Sequence, residues 1–431
     1  MHIAKPTKQQ LAWHEMELGV LIHYCMEMYR PELPGDWYKT AAVREALAPA
    51  TIHPKNLDPE QWVRSAAELG AKYAVLVAKH CTGFALWDTQ VNDFSIARTD
   101  WRGGGGDICR EFVDACGKYG LKPGFYYSTV CNGYYDINDN LPQDTTRKAY
   151  RDYVKCVEAQ VEELWSRYGD LAEIWFDGGV IPPEKGGPDL VPLLKKYQPD
   201  AVCFQGPRDW PHNVRWVGNE DGLAPENCWA ATNAGEARFD GTVPNEQAGV
   251  GDPEGKYYWP AETDMPNRTH AAFGGGWSWQ PNEEHLRYTP EQLLDCYIRS
   301  VGRNSNLLLG MAISRDGDFQ DEEQFRAFGK LIRETFGDPA YRLDHPALTD
   351  GSCEIVFEAP RPVKYAVLRE EIGEGQHIRG FRILADGQSV YESECVGHKR
   401  IVPFKGLTAS RLTVEITKAA GTPILRDVCV F

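Results

Sequence analysis

The sequence lacks several features that would assign it directly to a class of protein. Among its 431 residues there is no run of about 20 apolar residues, the length that a membrane span requires. It also lacks a stripe of lysine and arginine, and its formal net charge is −16. We therefore expect neither nucleic acid nor an anionic membrane as a partner, since both bind through clustered positive charge.

The 12 cysteines are scattered and include no C-x-x-C pair, a pattern that argues against a zinc site. Most lie within apolar segments, where a reduced cysteine behaves as a small hydrophobic residue. Residues 1–19 have neither the apolar core nor the cleavage site of a signal peptide. We expect a cytoplasmic protein, or a secreted one if a signal peptide precedes this sequence. We expect no metal or organic cofactor, and the sequence leaves the oligomeric state open.

Eight short apolar segments alternate with longer helical patterns up to about residue 335. Helical patterns such as 58–70 and 107–120 end in glycine, which is typical of a helix terminus. Eight strands that are apolar on both faces predict a closed (β/α)₈ barrel. A doubly wound sheet is the alternative, but no glycine-rich phosphate loop follows the first strand. The predicted strands are residues 18–24, 72–80, 122–128, 171–177, 201–205, 214–220, 257–262 and 306–310.

The last part of the chain has a different pattern. From about residue 345, apolar and polar residues alternate, and turns such as Asp386-Gly387 separate the alternating segments. This pattern is typical of a small antiparallel β-sandwich. We therefore predict a barrel domain at residues 1–340 and a β-sandwich domain at residues 341–431.

Polar side chains stand at the carboxyl end of six predicted strands, where the functional residues of a barrel gather. Paired carboxylates in a tryptophan-rich pocket indicate cleavage of a glycosidic bond, in which one acid attacks the anomeric carbon and the other protonates the leaving oxygen. A metal-dependent hydrolase has less support, because no strand ends in a His-x-His pair. The residues at these ends are His23, His80, Tyr126 with Tyr127, Asp177, Glu220 and Glu262.

Several long motifs occur in one order along the chain. They include GVLIHY, GAKYAVLVAKHCTGFALW, REFVDACGKYGLKPGFYYS, EIWFDGG, VRWVGNEDGLA, WPAETDMP and NSNLLLG. In these motifs the sequence resembles the family 29 α-L-fucosidases, in particular the branch that prefers α-1,3 and α-1,4 linkages. The resemblance covers almost the whole chain. It implies a retaining exo-α-L-fucosidase that releases terminal fucose from oligosaccharides or glycoconjugates.

The resemblance also implies roles for individual residues. Asp177 corresponds to the catalytic nucleophile, and the two glycines that follow it let the backbone clear the sugar. Glu220 corresponds to the acid/base, and Trp216 and Val217 would supply the apolar surroundings that an acid working near neutral pH requires. Glu262 is the rival acid/base and is otherwise a substrate contact. The residues expected to bind the sugar are His23, His80, Tyr127, Trp175 and, unless it packs beneath a loop, Trp87.

The sequence departs from the family at two motifs. Cys81 stands where the family has its second histidine, and Tyr24-Cys25 follows His23 where the family has an aromatic residue and glycine. A thiol is a poor substitute for an imidazole as a hydrogen-bonding group. Two alternatives therefore stay open: a related α-L-glycosidase such as an α-L-galactosidase, and a non-catalytic sugar-binding homologue. The presence of both carboxylates argues against the second.

Overall fold

The computed structural model describes residues 3–139, 144–233 and 249–431. Its largest element is a closed barrel of eight parallel strands in the order β1-β10-β9-β6-β5-β4-β3-β2, which confirms the predicted barrel. Two further strands, β7 and β8, form a separate antiparallel ribbon. In chain order the strands are β1 (Leu18–His23), β2 (Tyr73–Lys79), β3 (Lys122–Tyr127), β4 (Glu173–Trp175), β5 (Val202–Phe204), β6 (Asn213–Trp216), β7 (Ala231–Thr232), β8 (Tyr257–Tyr258), β9 (Ala261–Met265) and β10 (Ser305–Ala312).

The pairing of the first strand with the last closes the barrel. The register runs from Leu18 opposite Leu307 to His23 opposite Ala312. Every residue of β1, β2 and β10 is buried, because one face of each strand packs inside the barrel and the other packs against helices. This double burial explains why these strands are continuous apolar runs in the sequence.

The segment 257–262 is not one strand, as the sequence predicted, but two. Tyr257–Tyr258 belongs to the ribbon, and the barrel strand begins only at Ala261. Pro260 stands between them and has no N–H to donate to a strand ladder. Glu262 is therefore the second residue of its strand, and the prediction that it ends a strand is wrong.

The helices predicted at 58–70 and 107–120 end at the expected glycines. The side chain of Asp58 accepts hydrogen bonds at the start of α3, which ends before Gly70 at φ 103°. Asp107 and Gly120 act in the same way for α4. Within the described ranges, no helix is long and apolar enough to cross a membrane. The helices are α1 (Lys8–His14), α2 (Val43–Ala46), α3 (Pro59–Leu69), α4 (Ile108–Tyr119), α5 (Lys148–Arg167), α6 (Val191–Tyr197), α7 (Pro290–Ser300) and α8 (Glu322–Phe336).

The C-terminal part is an antiparallel domain built on one six-stranded sheet, in the order β11-β16-β12-β15-β13-β14. Its two long strands, β12 and β15, pair with register shifts at two places. The domain has an apolar core of its own, which includes Phe357, Phe381 and Val414. The strands are β11 (Tyr341–Asp344), β12 (Ser352–Glu370), β13 (Ile378–Ala385), β14 (Gln388–Ser393), β15 (Arg400–Ala419) and β16 (Leu425–Val430).

The C-terminal sheet joins the barrel at the end where the barrel strands begin. Asn304, just before β10, accepts a hydrogen bond from the backbone N–H of His398 through its Oδ1 at 2.7 Å. Glu17, just before β1, forms an ion pair with Lys399. The sheet therefore lies at the end of the barrel opposite the carboxyl ends of the strands.

The sheet also holds the loop that follows β6. The buried guanidinium of Arg400 donates to the carboxylate and the backbone carbonyl of Glu226. The hydroxyl groups of Tyr391 and Ser393 bind Glu226 and Asn227 respectively. One end of this loop is thus fixed by the second domain.

We predict that Glu17→Gln lowers the free energy of unfolding by about 3 kcal/mol, the typical cost of removing one partner of a buried ion pair. Burial opposes the charge on Glu17, but Lys399 and His398 outweigh it and hold the pKa of Glu17 below its ordinary value. A lowered carboxyl pKa stabilises the fold above the unfolded-state pKa, and this contribution is lost as the pH falls through the folded-state pKa. Urea unfolding at neutral and acidic pH measures the difference.

Glu15→Gln is the matched control. Glu15 also forms an ion pair, in its case with Arg426, but its side chain is 55% exposed. An exposed pair contributes roughly 0–1 kcal/mol. If the two variants lost equal free energy of unfolding, the ion pair of Glu17 would contribute no more than an exposed pair, and the prediction would be wrong.

Candidate functional site

Asp177 lies at the carboxyl end of β4, in a turn that aims its side chain at the barrel mouth. The turn is closed by the N–H of Gly179, which donates to the carbonyl of Phe176 at 3.1 Å. Gly178 and Gly179 have φ values of 71° and 81°, which glycine adopts without strain. The hydroxyl of Thr129 donates to the carbonyl of Gly179 at 2.6 Å and holds the turn from the neighbouring strand end.

The carboxylate of Asp177 is half-buried and is bound by Tyr126, whose hydroxyl donates to Oδ2 at 2.8 Å. Burial and the charge of Asp177 raise the pKa of Tyr126 well above its ordinary value, so the phenol keeps its proton and remains a donor. The Tyr126 ring lies 6.0 Å, centroid to centroid, from the imidazole of His80. Asp177 is thus joined to the neighbouring strand ends β3 and β2.

A second set of contacts leads from His80 to Glu220. The ring centroid of His23, at the end of β1, is 6.3 Å from that of His80 and 4.9 Å from that of Trp277. The indole N–H of Trp277 donates to Oε2 of Glu220 at 3.0 Å. A continuous wall of aromatic and imidazole rings therefore connects the two candidate acids across the barrel mouth.

The pKa values of the two histidines of this wall are shifted in opposite directions. Burial, reinforced by the charge of His80, lowers the pKa of His23 to about 3, so His23 is neutral at pH 7. Burial also opposes a charge on His80, but Cys25, Cys81 and Glu27 outweigh it and raise the pKa of His80 well above its ordinary value. Since burial raises the pKa of Cys25 to about 11, Glu27 is the anion that faces His80 at neutral pH.

Glu220 lies in surroundings that differ from the expectation. It is exposed and stands four residues beyond the end of β6. The indole N–H of Trp216 turns away to Oδ1 of Asp264 at 2.6 Å, and Val217 packs in a separate small cluster with Ala224. The predicted apolar surroundings from Trp216 and Val217 are therefore wrong, and the close neighbour of Glu220 is the Trp277 indole.

Comparison with known proteins agrees with this geometry. A family model described as alpha-L-fucosidase matches residues 4–332. The chain belongs to the α-L-fucosidase family. It is 28% identical to alpha-L-fucosidase 1 of Arabidopsis thaliana, over 97% of this chain and 86% of that protein.

Solved structures of the same fold extend the likeness over the full chain. A candidate α-L-fucosidase of Bacteroides thetaiotaomicron has 31% identity and a TM-score of 0.90, covering 100% of this chain and 99% of that one. A glycoside hydrolase 29 family member from an unknown rumen bacterium has 26% identity and a TM-score of 0.81, covering 100% and 77%. The protein is thus an enzyme of the glycoside hydrolase class.

In this member of the α-L-fucosidase family, the structure places Tyr126 in the site, and not Tyr127, for which a sugar contact was predicted. Tyr126 faces the interior of the barrel and binds Asp177. Tyr127 faces the helices, is 1% exposed, and donates its hydroxyl to Gln160 of α5 at 2.7 Å. The expectation that Tyr127 contacts the sugar is wrong, because successive residues of a strand point to opposite faces.

Trp87 is also outside the site. It is fully buried, and its indole N–H donates to Oε2 of Glu163 on α5 at 2.9 Å. It packs beneath the loop that follows β2. The prediction that Trp87 contacts the substrate is therefore wrong, and the alternative, that it packs beneath a loop, is confirmed.

Glu262 lies inside the barrel below the mouth and is fully buried. Its Oε1 accepts from the hydroxyl of Tyr73 at 2.7 Å and its Oε2 from the indole of Trp175 at 3.0 Å. Burial raises the pKa of Glu262 to about 7. Because no part of Glu262 is exposed, the expectation that it contacts substrate is wrong; it holds Trp175 in place instead.

Trp175, expected to bind the sugar, supports Tyr126 from below. Its ring is stacked on that of Tyr126 at 5.2 Å and on that of Phe204 at 4.0 Å between centroids. Only 5% of Trp175 is exposed. Its contact with a sugar, through the remaining ring edge, stays a prediction.

The sequence reasoning missed Glu27 and Asp264 in the α-L-fucosidase site, and it included Trp277 only as one of the tryptophans expected to line the pocket. Trp277 and Glu27 lie outside the predicted strands, so strand-end reasoning did not reach them. Asp264 is buried next to Trp216, and burial together with the charge of Glu220 raises its pKa well above its ordinary value. The two-residue spacing of Glu262 and Asp264 along β9 was a signal that both side chains face the interior.

We predict that Tyr126→Phe lowers kcat/KM by about tenfold or more, because a hydrogen bond to a charged group contributes about 1.5–3 kcal/mol. Tyr127→Phe removes the same hydroxyl from the next residue and should leave kcat/KM within about twofold, since its partner, Gln160, lies outside the barrel. Steady-state kinetics on an aryl glycoside measure both variants. Equal losses, or a larger loss in Tyr127→Phe, would reverse our assignment of the interior face.

Proposed function

We propose that the protein is a retaining exo-α-L-fucosidase that hydrolyses terminal α-linked L-fucose. The observation that carries this proposal is the ring wall that runs from Asp177 through Tyr126, His80, His23 and Trp277 to Glu220. It brings two carboxylates to one barrel mouth, as hydrolysis through a glycosyl-enzyme intermediate requires. The names of the relatives support fucose as the sugar.

The two acids have different surroundings, and these suit different roles. Asp177 is held by a buried phenol that stays protonated, so its carboxylate is oriented for attack on the anomeric carbon. Glu220 is exposed at the outer side of the mouth, where a leaving group and then a water molecule would arrive. In the first step, Glu220 protonates the leaving oxygen while Asp177 bonds to the anomeric carbon. In the second step, Glu220 takes a proton from water, and the water oxygen attacks the anomeric carbon and breaks its bond to Asp177. Both carboxyl groups then return to their starting state.

Two finer features belong to the same proposal. The resemblance of the chain as a whole to the branch of the family that prefers α-1,3 and α-1,4 linkages supports the same linkage preference here. The 12 cysteines, all described and all free, support a cytoplasmic location, since disulfides are rare in reducing compartments.

We predict that Asp177→Ala reduces turnover of 4-nitrophenyl α-L-fucoside by several orders of magnitude, because the nucleophile is lost. Added azide should restore part of the activity and give the β-fucosyl azide, with inverted configuration. Product analysis by NMR checks this stereochemistry. Near-wild-type turnover in the variant would contradict the assignment of Asp177.

The sugar preference is tested on the wild type, because Cys81 stands where the family has an imidazole. Faster turnover of 4-nitrophenyl α-L-galactoside than of the α-L-fucoside would favour galactose as the sugar.

We predict that Glu220→Ala loses far less activity on aryl glycosides with good leaving groups than on poor ones, because a good leaving group needs no protonation. Its alkaline limb should also disappear from the pH profile of kcat/KM. Glu262→Gln is the control: a carboxyl group that only holds Trp175 should lower rates for all leaving groups alike. If the loss of activity depended on the leaving group in Glu262→Gln and not in Glu220→Ala, Glu262 would be the acid/base and Glu220 would not.

A further inference from the structure

Three side chains with metal-binding atoms meet beside the mouth of the barrel. Cys25 and Glu27 follow β1, and His80 follows β2, its parallel neighbour. One ligand atom from each, the Cys25 thiol, a Glu27 oxygen and a His80 ring nitrogen, all lie within 4.8 Å of one another. Cys25 is 2% exposed and Glu27 is 5% exposed. The cluster is therefore a group of unlike ligands, two of them buried and the third, the side chain of His80, 21% exposed, and not a set of solvated acidic residues.

Two atoms of this cluster are buried without a hydrogen-bond partner among the described residues: Oε2 of Glu27 and Nδ1 of His80. The second carboxylate oxygen of Glu27 accepts from the hydroxyl of Ser278 at 2.7 Å. The distance of 3.6 Å between Nδ1 of His80 and Oε1 of Glu27 is that of an ion pair, too long for a hydrogen bond. Buried polar atoms left unpaired are costly, so both atoms would gain from a shared ligand.

We propose that Cys25, Glu27 and His80 form a binding site for a single Zn²⁺ ion. A thiolate, an imidazole nitrogen and a carboxylate oxygen are the ligands that zinc prefers, and three protein ligands leave a fourth position open. Bond lengths of about 2.0–2.3 Å place ligand atoms about 3–4 Å apart around a tetrahedral ion. The observed separations need to shrink by only about 1 Å. The ion displaces the thiol proton of Cys25 and the proton at Nδ1 of His80, and both pass to solvent.

The site was hidden from the sequence because its ligands do not follow a zinc-binding spacing. Cys25 and Glu27 are two residues apart, but His80 is supplied by another strand end. The pairing of β1 with β2 brings them together, and the buried 3₁₀ turn at Met26–Tyr29 turns Glu27 back towards His80.

Zinc at this site has a consequence for catalysis, and this part rests on the proposed function. His80 belongs to the wall that joins Asp177 to Glu220. An ion that binds Nδ1 fixes the ring of His80 and replaces the proton that this nitrogen carries in the imidazolium form. We therefore expect Zn²⁺ to inhibit fucoside hydrolysis, with recovery when a chelator is added.

The test uses Co²⁺ as a spectroscopic substitute for zinc on the untagged full chain. We expect one Co²⁺ per chain and a thiolate-to-cobalt charge-transfer band in the near ultraviolet, both removed by competing Zn²⁺, which binds more tightly. Cys25→Ser should abolish the band, and Glu27→Gln should weaken Co²⁺ binding by at least about tenfold. Circular dichroism checks that each variant is folded. If Cys25→Ser does not fold, Cys25→Ala replaces it in the test.

Cys296→Ser is the matched control, because Cys296 is the one cysteine of the 12 that is not buried and is the obvious competing thiol. The band should persist in this variant. No band in the wild type, or a band that survives Cys25→Ser and disappears in Cys296→Ser, would overturn the proposal. The spectrum does not depend on turnover, so loss of the band and absence of fucosidase activity are separate results.

Discussion

The pairing of β1 with β10 closes the barrel, and the site depends on this closure. His23 ends β1, and Trp277 follows β9 on the other side of β10. Their rings meet at 4.9 Å only because β10 holds β1 and β9 on either side. In an open sheet, β1 and β10 would be opposite edges. The connection from Glu220 to Asp177 would then be broken between Trp277 and His23.

Below the mouth, the barrel interior contains acids whose pKa values are raised by burial. Glu173 is fully buried, and burial together with the charge of Glu262 raises its pKa well above its ordinary value. Asp264 is shifted in the same direction. Groups that keep their protons can bind neighbouring indoles and hydroxyls without adding negative charge beneath Asp177. Negative charge near the sugar is thereby left to the residues of the mouth.

The features predicted from sequence are those that depend on local pattern. Most of the barrel strands follow from apolar runs, and the ends of α3 and α4 follow from the glycine signals at Gly70 and Gly120. The choice between Tyr126 and Tyr127 could not follow from such a pattern, since both faces of β3 are buried and hydrophobicity does not mark the inner one. Residues such as Trp277 and Glu27 enter the site through contacts between loops, which no single-segment pattern contains.

The anchoring of the loop after β6 has a consequence for how the two domains can be combined. Glu220 is carried by the same loop whose far end, at Glu226 and Asn227, is held by Tyr391, Ser393 and Arg400. Barrel and sheet are therefore not interchangeable modules. A chimaera that joined this barrel to the sheet of a distant relative would keep both catalytic carboxylates but would need matching partners at these three positions to keep Glu220 in place.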